Sequence, residues 1–190
     1  MLDSDLNLSP EQLDAVAALA GFNLVVPEGT SRKKGVARWT EYVTIEEASR
    51  EDETSQKGAS RTVFTLKAKV IPGPGTTGDN VGRSINEFMR VNFGVLKGNV
   101  AAAGANEVKK ELTMSAMALA TLKQLVQAAG LDLSGGLTLE ILDALFPKTG
   151  QSVLIGQHFS YVINNNEGNK NPNGENNQGV SAIFGAPEGV

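Results

Sequence analysis

The 190-residue chain has no cysteine, one histidine and no hydrophobic run long enough to cross a membrane. Without cysteine it can form neither a disulfide nor a zinc–thiolate site. With His158 as the only imidazole, a transition-metal site is not expected either. The first residues, Met1 to Asp5, show neither the positive segment nor the apolar segment of a secretory signal. We therefore expect a cytoplasmic protein with no cofactor and no membrane contact.

The charges are distributed unevenly along a chain of otherwise ordinary composition. The net charge is −4, with 41% hydrophobic and 20% charged residues, and the length suits one domain. Residues 31–110 carry fourteen Lys and Arg against nine Asp and Glu, whereas the rest carries three against twelve. Such an asymmetry can indicate a nucleic-acid-binding face, although ordinary scatter of charges would also produce it.

Strand and helix patterns follow one another in an informative order. Strand patterns occur at Val36–Ile45, Arg61–Ile71 and Ser84–Phe93, helical patterns at Met114–Ala129 and Leu139–Phe146, and further strand patterns at Gln151–Ile163 and Val180–Phe184. Three strands, helices and two strands is the chain order of an OB-type barrel. We therefore predict a β-rich α+β fold: a five-stranded OB-type barrel with a two-helix insertion between strands three and four.

An amphipathic helix precedes the predicted barrel. It runs from Ser9, a capping residue, to Ala20, and Gly21 supplies its end. Packing against the barrel is the favoured arrangement for this helix, and contact with a partner is the alternative. We predict residues 1–29 as an N-terminal helical appendage and residues 30–190 as the barrel domain, with the helical insertion at 112–147.

Three stretches of polar or small residues are predicted as loops. Glu46–Ser60, with the acidic triplet Glu51–Glu53, has the pattern of a solvated hairpin loop. Gly94–Glu111 is rich in small residues, and Asn164–Gly179 is rich in Asn and Gly. These loops would leave the binding face to the strands.

Two segments match known binding motifs only in part and are not predicted to bind a dinucleotide or calcium. Gly73–Gly78 matches a dinucleotide-binding glycine pattern, but a predicted strand follows it where the phosphate-binding helix should begin. Asn169–Gly174 imitates a calcium loop without its carboxylates. No catalytic constellation is visible, so the protein is predicted to be non-enzymatic, and a small enzyme is the least favoured alternative.

Basic and aromatic residues occur together on and just before the first three predicted strands. Proteins that bind single strands need cations along the backbone and aromatic rings for base stacking. The predicted phosphate contacts are Arg32, Lys33, Lys34, Arg38, Lys67, Lys69, Arg83 and Arg90, and the predicted stacking residues are Trp39, Tyr42, Phe88 and Phe93. The alternative is that these aromatic rings fill the core and the cations only keep the surface soluble.

From about Ala59 to Phe184 the chain resembles a group of phage-encoded proteins found with replication and recombination genes. The resemblance depends on three segments, Arg61–Ile71, Ser115–Gly130 and Gly150–Gly156. It implies an OB fold and a single-stranded-DNA-binding role in the cytoplasm of the host cell. It also implies phage or host replication and recombination proteins as partners, and it is compatible with a homo-oligomer.

These observations predict a non-enzymatic accessory protein of phage replication or recombination that binds single-stranded DNA. The alternative is a phage structural or protein-interaction module. That module would use the same barrel and the Ser9–Ala20 helix without nucleic acid.

Overall fold

The computed structural model describes residues 6–19, 38–56, 58–73, 76, 78–98, 105–170 and 176–185. The helices within these residues are α1 (Pro10–Leu19), α2 (Phe93–Leu96), α3 (Ala105–Ala128) and α4 (Leu139–Leu145). The strands are β1 (Arg38–Thr54), β2 (Ser60–Val70), β3 (Ser84–Val91), β4 (His158–Lys170) and β5 (Asn176–Gly185). A short 3-10 turn, Gly78–Asn80, lies between β2 and β3.

The five strands form one antiparallel sheet in the order β3-β2-β1-β4-β5. The predicted α+β class, the five strands and the helices between the third and fourth strands are confirmed. The predicted OB-type barrel is not confirmed, because β3 and β5 are the two edges of an open sheet in the described structure.

Strand β1 serves both halves of the sheet. Its first part, Arg38–Thr44, pairs with β4, and its second part, Val43–Thr54, pairs with β2. The register shifts between Ile45 and Glu47, as expected where a bulge bends a strand. The predicted hairpin loop Glu46–Ser60 was therefore wrong: its acidic residues continue β1 to Thr54, and only a short turn separates β1 from β2.

The core lies between one face of the sheet, called here the inner face, and the helices. Strand β2 shows the alternation clearly, since Phe64, Leu66 and Ala68 are buried on the inner face while Lys67 and Lys69 lie on the other, the outer face. Buried residues of the helical side include Leu122, Leu125, Leu142, Leu145 and Phe146. The period-two pattern of β2 thus predicted correctly which side chains face the core.

The N-terminal segment packs into this same core. Leu6, Leu8 and Leu13 are buried in it, and Leu8 exchanges two backbone hydrogen bonds of 2.9 Å with Leu137. Gly136 has φ +86°, and a Cβ at this position would overlap the Leu8 carbonyl oxygen. Helix α1 packs on the molecule through Leu13, mainly against α3, whereas the barrel on which it was predicted to pack is not confirmed.

The helices between β3 and β4 begin earlier than predicted. Helix α3 starts at Ala105, and Thr113, at the predicted start, lies inside it and donates a hydrogen bond of 2.8 Å to the Lys109 carbonyl. Alanine, glutamate and lysine are strong helix formers, which explains why part of the predicted loop Gly94–Glu111 is helical. No helix in the described ranges is long and apolar enough to cross a membrane.

The last two strands differ from their predicted limits. The segment from Gln151 to Gln157 forms turns, so β4 begins at His158. It then continues to Lys170, and β5 begins at Asn176, so the parts of the predicted loop Asn164–Gly179 at 164–170 and 176–179 are strand. Asparagine is rare in strands, but a partner strand that supplies ladder hydrogen bonds overrides this preference.

Candidate nucleic-acid interface

The outer faces of β2 and β3 bring four of the predicted binding residues together. Lys67 and Lys69 project from β2, and Phe88 and Arg90 project from β3. Lys67 pairs across the sheet with Asn86 and Phe88 with Thr65, so Lys67 and Arg90 flank Phe88 on one surface. We call these four residues the β2–β3 outer face.

Phe88 is the exposed aromatic ring of this surface. Its side chain is 51% exposed, and the guanidinium carbon of Arg90 lies 5.9 Å from the centroid of its ring. That distance suits a cation–π contact. The ring therefore presents a π-surface to water with a positive charge beside it.

The cations of this face lie beside glutamates of β1. Lys67 Nζ lies 2.7 Å from Glu47 Oε1, and both Lys67 and Lys69 have their Nζ atoms 4.0 Å from Glu46. The hydrogen bond to Glu47 is the main reason that the pKa of Lys67 is raised. Because β1 is a strand where a loop was predicted, the face carries alternating charges instead of a positive stripe.

Arg90 and Arg61 share a further glutamate at the far end of β1. Arg90 Nε lies 3.4 Å from Glu53 Oε2, and Arg61 Nη1 lies 3.6 Å from Glu53 Oε1. Arg61 also donates two hydrogen bonds to the carboxylate of Glu111 on α3, which lowers the pKa of Glu111 and raises that of Arg61. Arg61 thus attaches α3 to the sheet, while Arg90 remains at the surface.

Two of the predicted stacking residues are buried. Tyr42 lies beneath the loop that follows β2, where a Cβ on Gly73 would overlap its ring and Thr76 Oγ1 accepts a hydrogen bond of 2.7 Å from its backbone N–H. Phe93 begins α2 and packs edge-on against Phe64 in the core, at 6.4 Å between ring centroids. Burial removes both rings as candidates for stacking.

Trp39 is also separated from the cations. It lies on the inner face of β1, half-buried against the core, and its Nε1 donates a hydrogen bond of 2.7 Å to Glu41 Oε1. Of the four predicted stacking residues, Phe88 alone is exposed on the outer face. Arg83 is exposed just before β3. Arg32, Lys33, Lys34 and the side chain of Arg38 lie outside the described residues.

A second group of polar side chains lies on the inner face. Glu41 is buried, and its Oε1 accepts hydrogen bonds from Trp39 and Asn80. Glu87 accepts a hydrogen bond from the backbone N–H of Val180, and burial raises its pKa. Because Glu87 belongs to β3 and Val180 to β5, this contact connects the two edges of the sheet. The buried hydroxyl of Tyr161 has a raised pKa for the same reason of burial.

Sequence reasoning missed Phe184 and the glutamates of β1. Phe184 is 49% exposed on the outer side of β5, opposite Ser160 of β4. The signal that could have placed Glu47 and Glu53 is their spacing, since residues an even number apart share one face of a strand. The polar composition of the segment concealed that signal.

A scan of the sequence against protein-family models found no match, and neither did a search of curated proteins. Within the described residues there is also no group of three or more histidine, aspartate or glutamate side chains arranged to hold a metal ion. The β2–β3 outer face is therefore the candidate site.

Proposed function

We propose that the protein binds single-stranded nucleic acid on the β2–β3 outer face. Phe88 would stack against a base, and Lys67, Lys69 and Arg90 would contact the phosphates on either side. The observation that carries the proposal is the exposed Phe88 ring with Arg90 beside it. An exposed ring with a cation beside it supplies both contacts that a single strand needs, and stacking on aromatic rings contributes about 1–3 kcal/mol per base.

The proposal includes a finer description of the fold, an OB-type barrel opened along one seam. In the order β3-β2-β1-β4-β5, a barrel would close by pairing β3 with β5. Side chains occupy that seam: Glu87 accepts from the Val180 N–H, and Gln124 of α3 accepts from the Ile183 N–H at 3.2 Å. OB folds are partly open barrels, and they bind oligonucleotides on the face of strands two and three.

The biological setting follows from the resemblance alone. It would be that of a non-enzymatic accessory protein of phage replication or recombination, acting in the host cytoplasm with replication or recombination proteins. The preferred ligand would be single-stranded DNA.

Titration of labelled oligothymidylate, followed by fluorescence anisotropy, tests the proposal. Binding is expected at about 50 mM salt and should weaken strongly at about 200 mM, because each phosphate contact releases condensed counterions. A labelled oligouridylate measures the preference for DNA over RNA. Absence of binding to both at low salt would reject the proposed function. A discrete protein complex formed without nucleic acid would then favour the interaction module.

A further inference from the structure

Carboxylates of the neighbouring strand occupy the positions that a bound phosphate would take on the β2–β3 outer face. Glu47 lies 2.7 Å from Lys67, and Glu53 lies 3.4 Å from Arg90. Carboxylate and phosphate oxygens accept hydrogen bonds from the same cationic donors with similar geometry. A nucleic-acid strand that binds here must therefore displace the glutamate from each cation, or its phosphate must share the cation with that glutamate.

These ion pairs are open to water, so a ligand can exchange them. The side chains of Lys67 and Glu47 are 35% and 64% exposed, and those of Arg90 and Glu53 are 45% and 36% exposed. Water screens such pairs, and they contribute little to stability. The Arg61–Glu111 pair differs, since its side chains are only 16% and 15% exposed. Phosphate can thus replace the surface pairs while α3 stays attached to the sheet.

The displaced glutamates cannot leave the site. They belong to β1, and adjacent strands lie about 4.8 Å apart. Their negative charges would therefore remain within a Debye length of the bound phosphates, which is about 8–10 Å at ordinary salt. Competition for the cations and repulsion of the phosphates both reduce the contribution of phosphate contacts to the binding free energy. The contribution of stacking on the uncharged Phe88 ring is unaffected.

We propose that Glu46, Glu47 and Glu53 are specificity-determining residues that compete with phosphate for Lys67, Lys69 and Arg90. This inference rests on the proposed function. Because phosphate contacts alone contribute little binding free energy, a ligand must also offer an unpaired base that stacks on Phe88. A duplex offers phosphates but keeps its bases stacked inside. The glutamates therefore select for single strands and against duplex DNA.

The test compares the wild type with the E46Q/E47Q/E53Q variant on a labelled single strand and on a duplex of equal length. The variant should bind the single strand about tenfold more tightly, since each exposed ion pair contributes about a 1.4- to 5-fold factor to an equilibrium constant. The duplex should gain more than the single strand, because phosphate contacts are all that it offers, so the preference for single strands should shrink; equal gains would overturn the role of the glutamates in specificity. The salt slope should steepen by about 0.7 for each additional phosphate neutralised.

The matched control is E51Q. Glu51 lies on the same strand, is exposed, and forms no ion pair within the described part of the chain. This variant should change the affinity less than twofold. An effect as large as that of the triple variant would show that overall surface charge, and not competition at the three cations, sets the affinity, which would overturn the inference.

The remaining outcomes separate this inference from the proposed function. Wild-type binding that the triple variant does not improve would overturn the inference and leave the proposed function standing. Binding by the variant alone would reject the proposed function, and the glutamates would then exclude nucleic acid from the face instead of selecting single strands. Failure of both proteins to bind at low salt would reject the function and the inference together. Circular dichroism confirms that each variant is folded.

Discussion

The outer and inner faces of the sheet both carry carboxylates, but their surroundings are opposite. On the outer face, Glu47 and Glu53 lie in water beside cations. On the inner face, Glu41 and Glu87 accept hydrogen bonds from neutral donors, an indole and an amide for Glu41 and a backbone N–H for Glu87. The same chemical group therefore has two different roles in one sheet.

The difference shows where binding can occur. A carboxylate paired with a cation in water can be replaced by another anion at small cost, because water solvates both separated charges. A carboxylate held by neutral donors in the core cannot leave without exposing those donors to an apolar surrounding. The outer face is therefore suited to exchange with a ligand, and the inner face to fixing the strands and loops.

The largest expected effect is on the inner face, at Arg50. Its buried guanidinium donates a hydrogen bond of 2.7 Å to the Phe146 carbonyl and another to Asp143, which fixes the end of α4 against β1. In R50A the buried carbonyl loses its donor, and we expect the free energy of unfolding to fall by about 2–3 kcal/mol. Urea denaturation measures this change.

The control for Arg50 is D143N. The Asp143 side chain is 55% exposed, so this variant should lose less than about 1 kcal/mol. If R50A unfolds at the same urea concentration as the wild type, the polar contacts of the inner face do not fix the strands and helices as inferred above.

The next effect is on the outer face and concerns binding. F88A should weaken binding of oligothymidylate by about 1–3 kcal/mol, the contribution of one stacked base, measured by the same anisotropy titration. The urea midpoint should change little, because Phe88 is half exposed. F184A is the matched control, since Phe184 has similar exposure but lies on β5. Equal losses in both variants would mean that the binding surface is not confined to β2 and β3.

The sequence was sufficient to predict the strand count and the core of β2, but not the partners of the cations. The alternation of Leu66, Ala68 and Val70 is a local signal, and it survives in the structure because one face of β2 is buried. Which acid faces Lys67 depends on the register between β1 and β2. No local pattern encodes that register, and the polar composition of β1 favoured a loop.

The burial of Tyr42 was unpredictable for a similar reason. Tyr42 lies on the outer side of β1, where alternation predicts exposure, and it is buried only because the loop carrying Gly73 closes over its ring. A contact between segments that are distant in sequence decided this case. Phe93 differs, because it lies an even number of residues from Met89 and Val91, so alternation alone predicts that it faces the core as they do.

A smaller effect is expected at Glu87, where substitution should change the pH dependence of the free energy of unfolding. Substitution of an exposed carboxyl should not. Burial raises the pKa of Glu87 above its ordinary value of 4.5 in the folded protein. The folded state therefore keeps this proton longer than the unfolded state, and the contribution of Glu87 to stability falls as the pH rises from 4.5 through the folded-state pKa. Glutamine does not titrate, so the free energy of unfolding of E87Q relative to the wild type should increase as the pH rises from 4.5 through the folded-state pKa of Glu87.

Urea denaturation of E87Q at a series of pH values measures that difference, and E51Q, the same substitution on an exposed carboxyl, is the control for the loss of one charge. A constant difference between E87Q and the wild type from acid to neutral pH would contradict the role of burial at Glu87.

The smallest expected effect is on the stability of the E46Q/E47Q/E53Q variant. Its urea midpoint should shift far less than that of R50A, because the ion pairs it removes are exposed and screened by water. Any shift should vanish at about 1 M salt, where the Debye length is about 3 Å. A loss as large as that of R50A would mean that the outer glutamates hold the sheet together. They could not then be exchanged for phosphate, and the distinction between the two faces would fail.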